Sequence, residues 1–274
     1  MNTLSPIGIF DSGYGGLTIL KEIKKQLPKY DFIYLGDNAR TPYGTRSYET
    51  VYQYTQECVQ WLFQKNCPLV ILACNTASAK ALRTIQQKDL PLMSIDKRVL
   101  GVIRPTAEII GNFTSSNHIG ILGTKGTVQS GSYLIEIEKF FPGMKIFQQA
   151  CPLWVPIVEN NEQGTKGAEW FIEKDVLSLL KQSPEIDTIL LGCTHYPLLI
   201  DQIRKFLPGG IKIISQGEIV AKSLEDYLHR HTDIEKKCSK NSIIQFFTTD
   251  SVDDFDKHSE VFFGEKINSV HAVL

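Results

Sequence analysis

The sequence predicts an α/β fold that is built from two similar halves with mainly parallel sheets. The first observation is a stretch that occurs twice, at residues 69–80 and at residues 188–199, and that begins each time with an apolar run too short for a helix. A cysteine follows each run, Cys74 in one and Cys193 in the other, and a helical pattern comes next. This pattern is typical of a buried parallel strand that ends in a cysteine, at the sheet edge where α/β proteins bind ligands.

The second observation is a strand that ends in a glycine-rich turn, and it also occurs twice. Residues 7–10 form a short apolar strand before the turn at residues 11–16, and residues 119–123 repeat this arrangement before residues 124–127. The glycine spacing of the first turn fits neither the dinucleotide fingerprint nor the phosphate-loop pattern. The turn is therefore interpreted as a glycine elbow that carries a carboxylate and a hydroxyl at a strand end.

The remaining elements are predicted from apolar periodicity and from turn residues. In the first half we expect a helix at 17–27, a strand at 31–35, a polar loop at 36–44, helices at 48–64 and 77–87, a strand at 90–95 and a crossover at 96–103. In the second half we expect a helix at 130–140, a strand at 145–149, a proline-rich loop at 151–159, helices at 168–181 and 199–206, and a strand at 211–214. In the C-terminal tail, which follows residue 214, we expect a helix at 217–229, a strand at 243–248 and a helix at 251–263.

The same order of elements therefore occurs twice along the chain. The simplest architecture is a pair of pseudo-symmetric, flavodoxin-like α/β domains with the active site at their interface. Periodicity alone does not decide which half the tail joins.

The composition favours a globular protein of the cytoplasm. The 274 residues are 42% hydrophobic and 22% charged, and the formal net charge is −1 without a long basic block, so we expect no nucleic-acid partner. The chain starts without a signal-peptide pattern and no apolar run has membrane-spanning length, so we expect no membrane partner. The six cysteines form no C-x-x-C pair, which favours reduced thiols.

Two cysteines at strand ends can carry out proton transfer. We expect Asn75 or Thr194 to cap the helix that follows each cysteine, and we expect the helix dipole to lower the thiol pKa from about 8.5 toward neutrality. Two thiols on opposite faces of one carbon can take a proton from one side and return one on the other, which inverts a stereocentre without a cofactor. Asp11 and His195 are candidates for steadying the thiols, and Asn75, Thr76, Thr194 and the elbow amides for holding a carboxylate.

Each candidate also has a purely structural interpretation. A buried free cysteine is common as a small hydrophobe, Asp11 could cap its helix, His195 could be a core histidine, and Glu159 could be an exposed charge. A zinc site made of Cys74, Cys193 and His195 is geometrically possible, but we expect no metal. The cysteines without a strand-end setting are interpreted as structural: Cys58, Cys67, Cys151 and Cys238.

Six short motifs occur in a fixed order, at residues 8–17, 36–44, 73–77, 123–127, 156–159 and 191–197. With these motifs the chain resembles the glutamate racemases, a branch of the cofactor-independent Asp/Glu racemases, over nearly its whole length. The Thr-His pair after the second cysteine and the Pro-Tyr-Gly loop favour the glutamate branch over the aspartate branch.

The resemblance implies a 1,1-proton transfer that interconverts L- and D-glutamate without a cofactor and supplies D-glutamate for peptidoglycan. It implies that Cys74 deprotonates D-glutamate with help from Asp11, and that Cys193 deprotonates L-glutamate with help from His195 and with Glu159 nearby. The implied substrate-binding residues are Asp11, Ser12, Pro42, Tyr43, Gly44, Asn75, Thr76, Thr124, Thr127, Thr194 and His195.

The resemblance also implies a homodimer and a C-terminal segment that returns to the first half. We therefore expect one domain of residues 1–99 with 213–274 and a second domain of residues 100–212. Two features depart from the family pattern. Tyr14 stands where a small aliphatic residue is usual, and residues 93–104 form a longer and more charged crossover.

Other functions remain open at this point. The chain could be an aspartate racemase or another two-cysteine isomerase of the same fold. It could also be a two-lobed amino-acid binding module, which would bind a ligand without turnover and would need no paired thiols. A pyridoxal enzyme would need a Schiff-base lysine, for which Lys80 and Lys125 lie near strand ends.

Overall fold

The computed structural model describes residues 4–94 and 96–274, and it contains two parallel β-sheets that are covered by helices. The strands are β1 (Ile7–Asp11), β2 (Phe32–Gly36), β3 (Leu69–Leu72), β4 (Arg98–Gly101), β5 (His118–Gly123), β6 (Lys145–Ala150), β7 (Thr188–Gly192), β8 (Lys212–Ile214), β9 (Ile244–Thr248) and β10 (Ser269–His271).

The helices before β5 are α1 (Leu17–Gln26), α2 (Tyr48–Gln64), α3 (Asn75–Lys80), α4 (Leu82–Thr84), α5 (Leu90–Met93) and α6 (Ile103–Ala107). Those that follow are α7 (Lys125–Ser130), α8 (Ser132–Phe140), α9 (Trp154–Glu159), α10 (Lys166–Leu180), α11 (Ile200–Arg204), α12 (Gly217–Arg230), α13 (Thr232–Glu235) and α14 (Val252–Phe263). Short 3-10 turns lie at Asn38–Arg40, Ile110–Phe113 and Tyr196–Leu199, and a π-helical turn lies at Ile85–Asp89. Among the described residues, no helix combines the length and the apolar character that a membrane crossing requires.

The two sheets repeat one strand order. The first sheet runs β10-β9-β2-β1-β3-β4 and the second runs β6-β5-β7-β8, and the pairings between these strands are parallel. Both contain the flavodoxin-like order second-first-third-fourth, so the predicted α/β class with two pseudo-symmetric halves is confirmed. The strand order reverses between β1 and β3 in the first sheet and between β5 and β7 in the second. This switch point is where α/β sheets bind ligands.

The two sheets share a continuous apolar core. Ile7 and Ile9 of β1 belong to a buried cluster that reaches Leu122 of β5 and Trp154 of α9. Phe10, which follows Ile9, points to the other face, where a second cluster lies beneath α2. Because parallel strands are covered on both faces, β1, β2, β3 and β7 are buried along their whole length.

The C-terminal strands extend the first sheet, since β9 pairs with β2 and β10 pairs with β9. The Asp31 carboxylate fixes the entry into β9. It accepts the backbone N–H groups of Asn241 at 2.8 Å and Ile243 at 2.9 Å, and the Asn241 side-chain amide at 2.7 Å. Burial disfavours the charge, but the hydrogen bonds from Ser239, Ile243 and Asn241 outweigh it and lower the pKa of Asp31.

The expected strand at 90–95 is wrong. Residues 90–93 form α5, and the strand of this region is β4, inside the stretch that we expected to be a crossover; Ile95 lies outside the described residues. The helical path after Cys74 continues further than expected, to Met93. Tyr52 donates to Asp89 at 2.9 Å and Gln86 donates to the Val99 carbonyl at 2.7 Å, which ties this path to α2 and β4. Leu92 of α5 is 88% exposed, so this apolar run is not a buried strand.

The proline-rich stretch at 151–159 is not a loop, since it contains α9. Pro156 lies in the first turn of this helix, where the N–H group that proline lacks would have no helical partner. The helix expected at 130–140 begins earlier, as α7, and it breaks at Gly131, whose φ of 65° separates α7 from α8.

We predict that Asp31→Asn lowers the free energy of unfolding by about 1–3 kcal/mol at pH 7, because it weakens three hydrogen bonds to a buried carboxylate. The lowered pKa means that this stabilisation is present above the unfolded pKa of about 3.9 and is lost as the pH falls below it. Urea unfolding at several pH values measures the difference. Asp226→Asn, which removes an exposed ion pair with Arg230, is the control and should cost less than about 0.5 kcal/mol. Equal losses in the two variants would contradict the prediction.

Candidate active site

A cavity of about 270 Å³ lies where the carboxyl ends of the two sheets face each other. This volume is slightly below the range of pockets that hold drug-sized ligands, so the cavity suits a small molecule. The predicted site residues that line it are Ser12, Pro42, Tyr43, Gly44, Cys74, Asn75, Thr76, Thr124, Cys193, Thr194 and His195. Three others, Asp11, Thr127 and Glu159, lie behind this lining.

Several lining residues are absent from the sequence-based set: Thr41, Thr45, Lys125, Pro152, Leu153, Val155 and Pro156. Thr41 and Thr45 flank the Pro-Tyr-Gly loop, and Lys125 follows Thr124. Their position beside predicted site residues could have indicated that they line the cavity. The others belong to the stretch that we expected to be a loop, and only its helical turn brings them to the cavity.

Cys74 is held at the start of α3. Its sulfur accepts the backbone N–H of Ala77 at 3.4 Å, so Cys74 itself caps the helix and the expected Asn75 cap is wrong. The thiol lies 3.4 Å from the Ser12 hydroxyl oxygen, to which it donates. Burial, together with the charge of Asp11, raises the pKa of Cys74 to about 12. The expected lowering of this pKa is therefore wrong, because desolvation outweighs the dipole of one short helix.

Cys193 has different partners. Its sulfur lies 3.9 Å from His195 Nδ1, and His195 Nε2 lies 2.9 Å from Glu159 Oε1. Burial disfavours the imidazolium, but hydrogen bonds to Cys193 and Glu159 raise the pKa of His195 to about 10. At neutral pH a protonated ring therefore donates toward both partners. Thr194 does not cap the following turn, contrary to expectation; the first turn contains Pro197.

Asp11 lies at the end of β1 and is completely buried. Its Oδ2 accepts the backbone N–H of Gly13 at 3.0 Å, and its Oδ1 has no hydrogen-bond partner in the part of the chain that the structure describes. Gly16 is the N-cap residue of α1 and no side chain caps the helix, so Asp11 does not cap it. Burial raises the pKa of Asp11, and the charge of His195 opposes that rise. The carboxyl group therefore acts electrostatically on both Cys74 and His195.

Threonine hydroxyls join the two sheets at the floor of the cavity. Thr76 Oγ1 lies 2.9 Å from Thr124 Oγ1 and 3.4 Å from Thr127 Oγ1, and the latter two are 3.1 Å apart. The Gly126 backbone N–H donates to the Gly44 carbonyl at 2.8 Å, which closes the same side of the cavity. Hydroxyl groups can donate to carboxylate oxygens, so this cluster suits an acidic ligand.

Hydrogen bonds to charged side chains hold the loop at residues 36–44 in place. The Tyr43 hydroxyl donates to Asp37 Oδ2, and Arg40 Nε donates to the same oxygen at 2.7 Å. Arg40 also pairs with Glu57 of α2. Asp37 is completely buried, so these contacts satisfy its charge and hold Tyr43 and Gly44 at the cavity.

Tyr14, the residue that departs from the family pattern, packs under the C-terminal helix. Its ring stacks on Phe255 with centroids 5.4 Å apart and on Phe262 at 5.9 Å. Phe262 in turn meets the His195 ring edge-to-face at 5.2 Å. Tyr14 therefore helps to fix α14 as an apolar cover over the His195 ring.

The first elbow makes a close approach to the second cysteine segment at Gly15. A Cβ atom at Gly15 would lie 2.2 Å from Thr194 Oγ1 and 2.4 Å from His195 Nδ1. Thr18 Oγ1 donates to the Thr194 carbonyl at 3.0 Å, which ties α1 to the same segment. Only glycine fits at this position.

The fold and the site define an α/β protein whose two parallel sheets enclose a small cavity, with a thiol from each sheet in its wall. The chain matches the model of the Asp/Glu/hydantoin racemase family over residues 7–224, and it belongs to that family.

Individual relatives extend this match along the whole chain. The glutamate racemase of Geobacter metallireducens is 38% identical over 267 residues, which are 97% of this chain and 96% of that protein. The crystal structure of a glutamate racemase isoform from Bacillus anthracis superimposes with a TM-score of 0.89 at 37% identity and covers 98% of both chains. The Francisella tularensis glutamate racemase in complex with D-glutamate gives a TM-score of 0.86 at 30% identity, covering 100% of this chain and 98% of that one.

We predict that Gly15→Ala lowers the free energy of unfolding by about 1–3 kcal/mol, because the added methyl group overpacks the contact between the elbow and His195. Gly164→Ala is the matched control, since its Cβ would meet no atom within 4 Å. Urea unfolding of the two variants beside the wild type measures the effect. If the two substitutions had the same effect, the close approach would not constrain residue 15.

We predict that Glu159→Gln lowers the pKa of His195 from about 10, because it removes one of the two partners that favour the imidazolium. ¹⁵N NMR of the imidazole ring across pH 6–11 measures the titration. Since the folded pKa lies above the usual value of about 6.5, the stabilisation by His195 is present below pH 6.5 and is lost as the pH rises through about 10. The variant should lose less stability over this window than the wild type does.

Glu162→Gln serves as the control for this titration, since Glu162 is an exposed carboxylate close to α9. It should leave the His195 titration in place. A His195 pKa that does not change in Glu159→Gln would mean that the carboxylate does not hold the charged ring.

Proposed function

We propose that the chain interconverts L- and D-glutamate by proton transfer at the α-carbon, without a cofactor. The observation that carries the proposal is the position of Cys74 and Cys193, which line one small cavity from opposite sheets. Full-length relatives that are named glutamate racemases support glutamate as the substrate.

In the proposed complex the α-carbon of glutamate lies between the two sulfur atoms. The hydroxyls of Ser12, Thr76 and Thr124, and the lip at Tyr43 and Gly44, face the cavity and suit the two carboxylates. The remaining proposed substrate-binding residues are Asp11, Pro42, Asn75, Thr127, Thr194 and His195. The Francisella tularensis relative, which was solved with D-glutamate, supports an amino acid of this size.

The proposed reaction from L-glutamate begins with Cys193 as a thiolate beside the His195 imidazolium. The thiolate takes the α-proton, so the Cα–H bond breaks and its electron pair stays on the substrate. The Cys74 thiol then donates its proton to the opposite face and becomes a thiolate, which yields D-glutamate. The raised pKa of Cys74 fits this first direction, because it keeps the proton on the sulfur at neutral pH. In reverse, the Cys74 thiolate is the base and Cys193 the donor.

Asp11 and Glu159 are proposed to act through charge. Asp11 raises the pKa of Cys74 and favours the protonated form of His195, which keeps both groups in the states that the first direction needs. Glu159 holds the outer nitrogen of His195, so the ring keeps its orientation toward the Cys193 sulfur.

The family resemblance supports three further proposals. D-glutamate from this reaction would enter peptidoglycan, the enzyme would act in the cytoplasm, and the chain would form a homodimer. We also propose domains of residues 1–99 with 213–274 and of residues 100–212, which is supported by the pairing of β9 with β2.

We predict that the purified protein exchanges the α-proton of L- and D-glutamate with D₂O and produces the other enantiomer with no added cofactor. Cys74→Ala and Cys193→Ala should each lower racemisation by about 10²–10⁴-fold, because each removes one proton-transfer group. Proton NMR of the Cα signal and chiral chromatography measure the two events, with aspartate as a second substrate.

Cys67→Ala is the control, since Cys67 is also buried but does not line the cavity. It should retain most of the activity. Folded wild-type protein that binds glutamate without any exchange would favour the binding-module function instead, and faster turnover of aspartate would assign the other branch of the family.

A further inference from the structure

Asn75 belongs to a closed ring of hydrogen bonds behind the cavity. Its Nδ2 donates to Gln216 Oε1 at 2.7 Å, Gln216 Nε2 donates to the Tyr133 hydroxyl at 2.8 Å, and that hydroxyl donates to Asn75 Oδ1 at 2.6 Å. Each member donates to the next in the same sense. The Val102 carbonyl fixes that sense, because it can accept only from Gln216 Nε2, and it thereby defines the orientation of both amides. All three side chains are buried.

The ring lies at the junction of the two sheets. Asn75 starts α3 beside the first sheet, and Tyr133 lies on α8 beside the second. Gln216 precedes α12, where the chain returns from the second sheet to pack against α1. Gln216 Nε2 also lies 3.1 Å from the Val102 carbonyl and 3.0 Å from Thr106 Oγ1, so the ring touches the other crossover as well.

Of the three residues, only Asn75 lines the cavity. Its Oδ1 accepts from Tyr133 and one hydrogen of its Nδ2 is donated to Gln216, which leaves one amide hydrogen for a ligand. If the amide could adopt two orientations, a ligand that needs one of them would lose part of its binding free energy in fixing it. The ring removes this freedom before the ligand binds.

We propose that Gln216 and Tyr133 are positioning residues, which hold the Asn75 amide in the orientation that binds the substrate carboxylate. The proposal rests on the proposed function, since it takes Asn75 to be a substrate-binding residue. Both residues lie outside the six sequence motifs, and neither touches the cavity. They act on the reaction only through Asn75.

The experiment is a set of double-mutant cycles with glutamate racemisation as the readout. Tyr133→Phe, which removes a single oxygen, and Gln216→Met should each lower kcat/KM about 10-fold, mainly through KM, because a buried hydrogen bond is lost. In an Asn75→Ala background the same substitutions should change kcat/KM by less than about 2-fold, since the group that they position is gone. Tyr52→Phe, whose hydroxyl bonds Asp89 away from the cavity, is the control and should change neither constant.

A second measurement is independent of turnover. Solvent exchange of the Asn75 side-chain amide protons, assigned by comparing ¹⁵N spectra with Asn75→Ala, should accelerate at least about 10-fold in Tyr133→Phe. Urea unfolding identifies any variant that does not fold, and if Gln216→Met is one of these, the single-atom variant Tyr133→Phe decides the question.

The outcomes separate the two proposals. Racemisation effects that add to the effect of Asn75→Ala, or an Asn75 amide whose exchange does not change, would overturn the positioning role and leave a merely structural junction. A wild-type protein without racemase activity, but with an Asn75 amide that loosens in Tyr133→Phe, would overturn the proposed reaction and support the positioning of Asn75.

Discussion

The side chains at the carboxyl ends of β1, β3, β5 and β7 share one desolvated space, and the remaining features of the site depend on this burial. Desolvation strengthens each charge interaction that is made there. It lets one carboxyl group, Asp11, act through its charge on both Cys74 and His195. The close approach at Gly15 and the contact between Gly126 and Gly44 keep the two strand ends together. Without these contacts water would enter and screen the same charges.

The fold is nearly symmetric, but the charges on it are not. Both cysteines follow the third strand of a repeated unit, yet Cys74 faces a hydroxyl and a helix N–H group, whereas Cys193 faces an imidazolium that is held by a carboxylate. Burial keeps the Cys74 thiol protonated, and the contacts with Cys193 and Glu159 keep His195 protonated. A repeated backbone thus places one thiol at the end of a strand in each sheet, and the two thiols have different neighbours.

Local patterns were sufficient to predict the two strands that end in the cysteines of the cavity. Buried parallel strands are nearly continuous apolar runs, so β3 and β7 with their terminal cysteines are visible in the sequence. β4 was missed because the run at residues 90–93 is just as apolar, although it forms a helical turn in which no residue is buried. The raised pKa of Cys74 depends on burial by distant segments. The ring of Asn75, Tyr133 and Gln216 has no local pattern, since its members are far apart along the chain.

The asymmetry between the two thiols is constrained by the chemistry of the proposed reaction. L- and D-glutamate are enantiomers and have the same free energy in water, so their equilibrium constant is one. Because kcat/KM measures the free energy of the transition state relative to free enzyme and substrate, the values for the two directions must be equal in the wild type and in every variant. The different surroundings of Cys74 and Cys193 can therefore give the two directions different kcat and KM values. The ratio kcat/KM must nevertheless be the same in both directions. A residue that acts on one thiol must affect the conversion of both enantiomers equally at low substrate concentration. Different surroundings of the two thiols are therefore compatible with equal kcat/KM values for the two enantiomers.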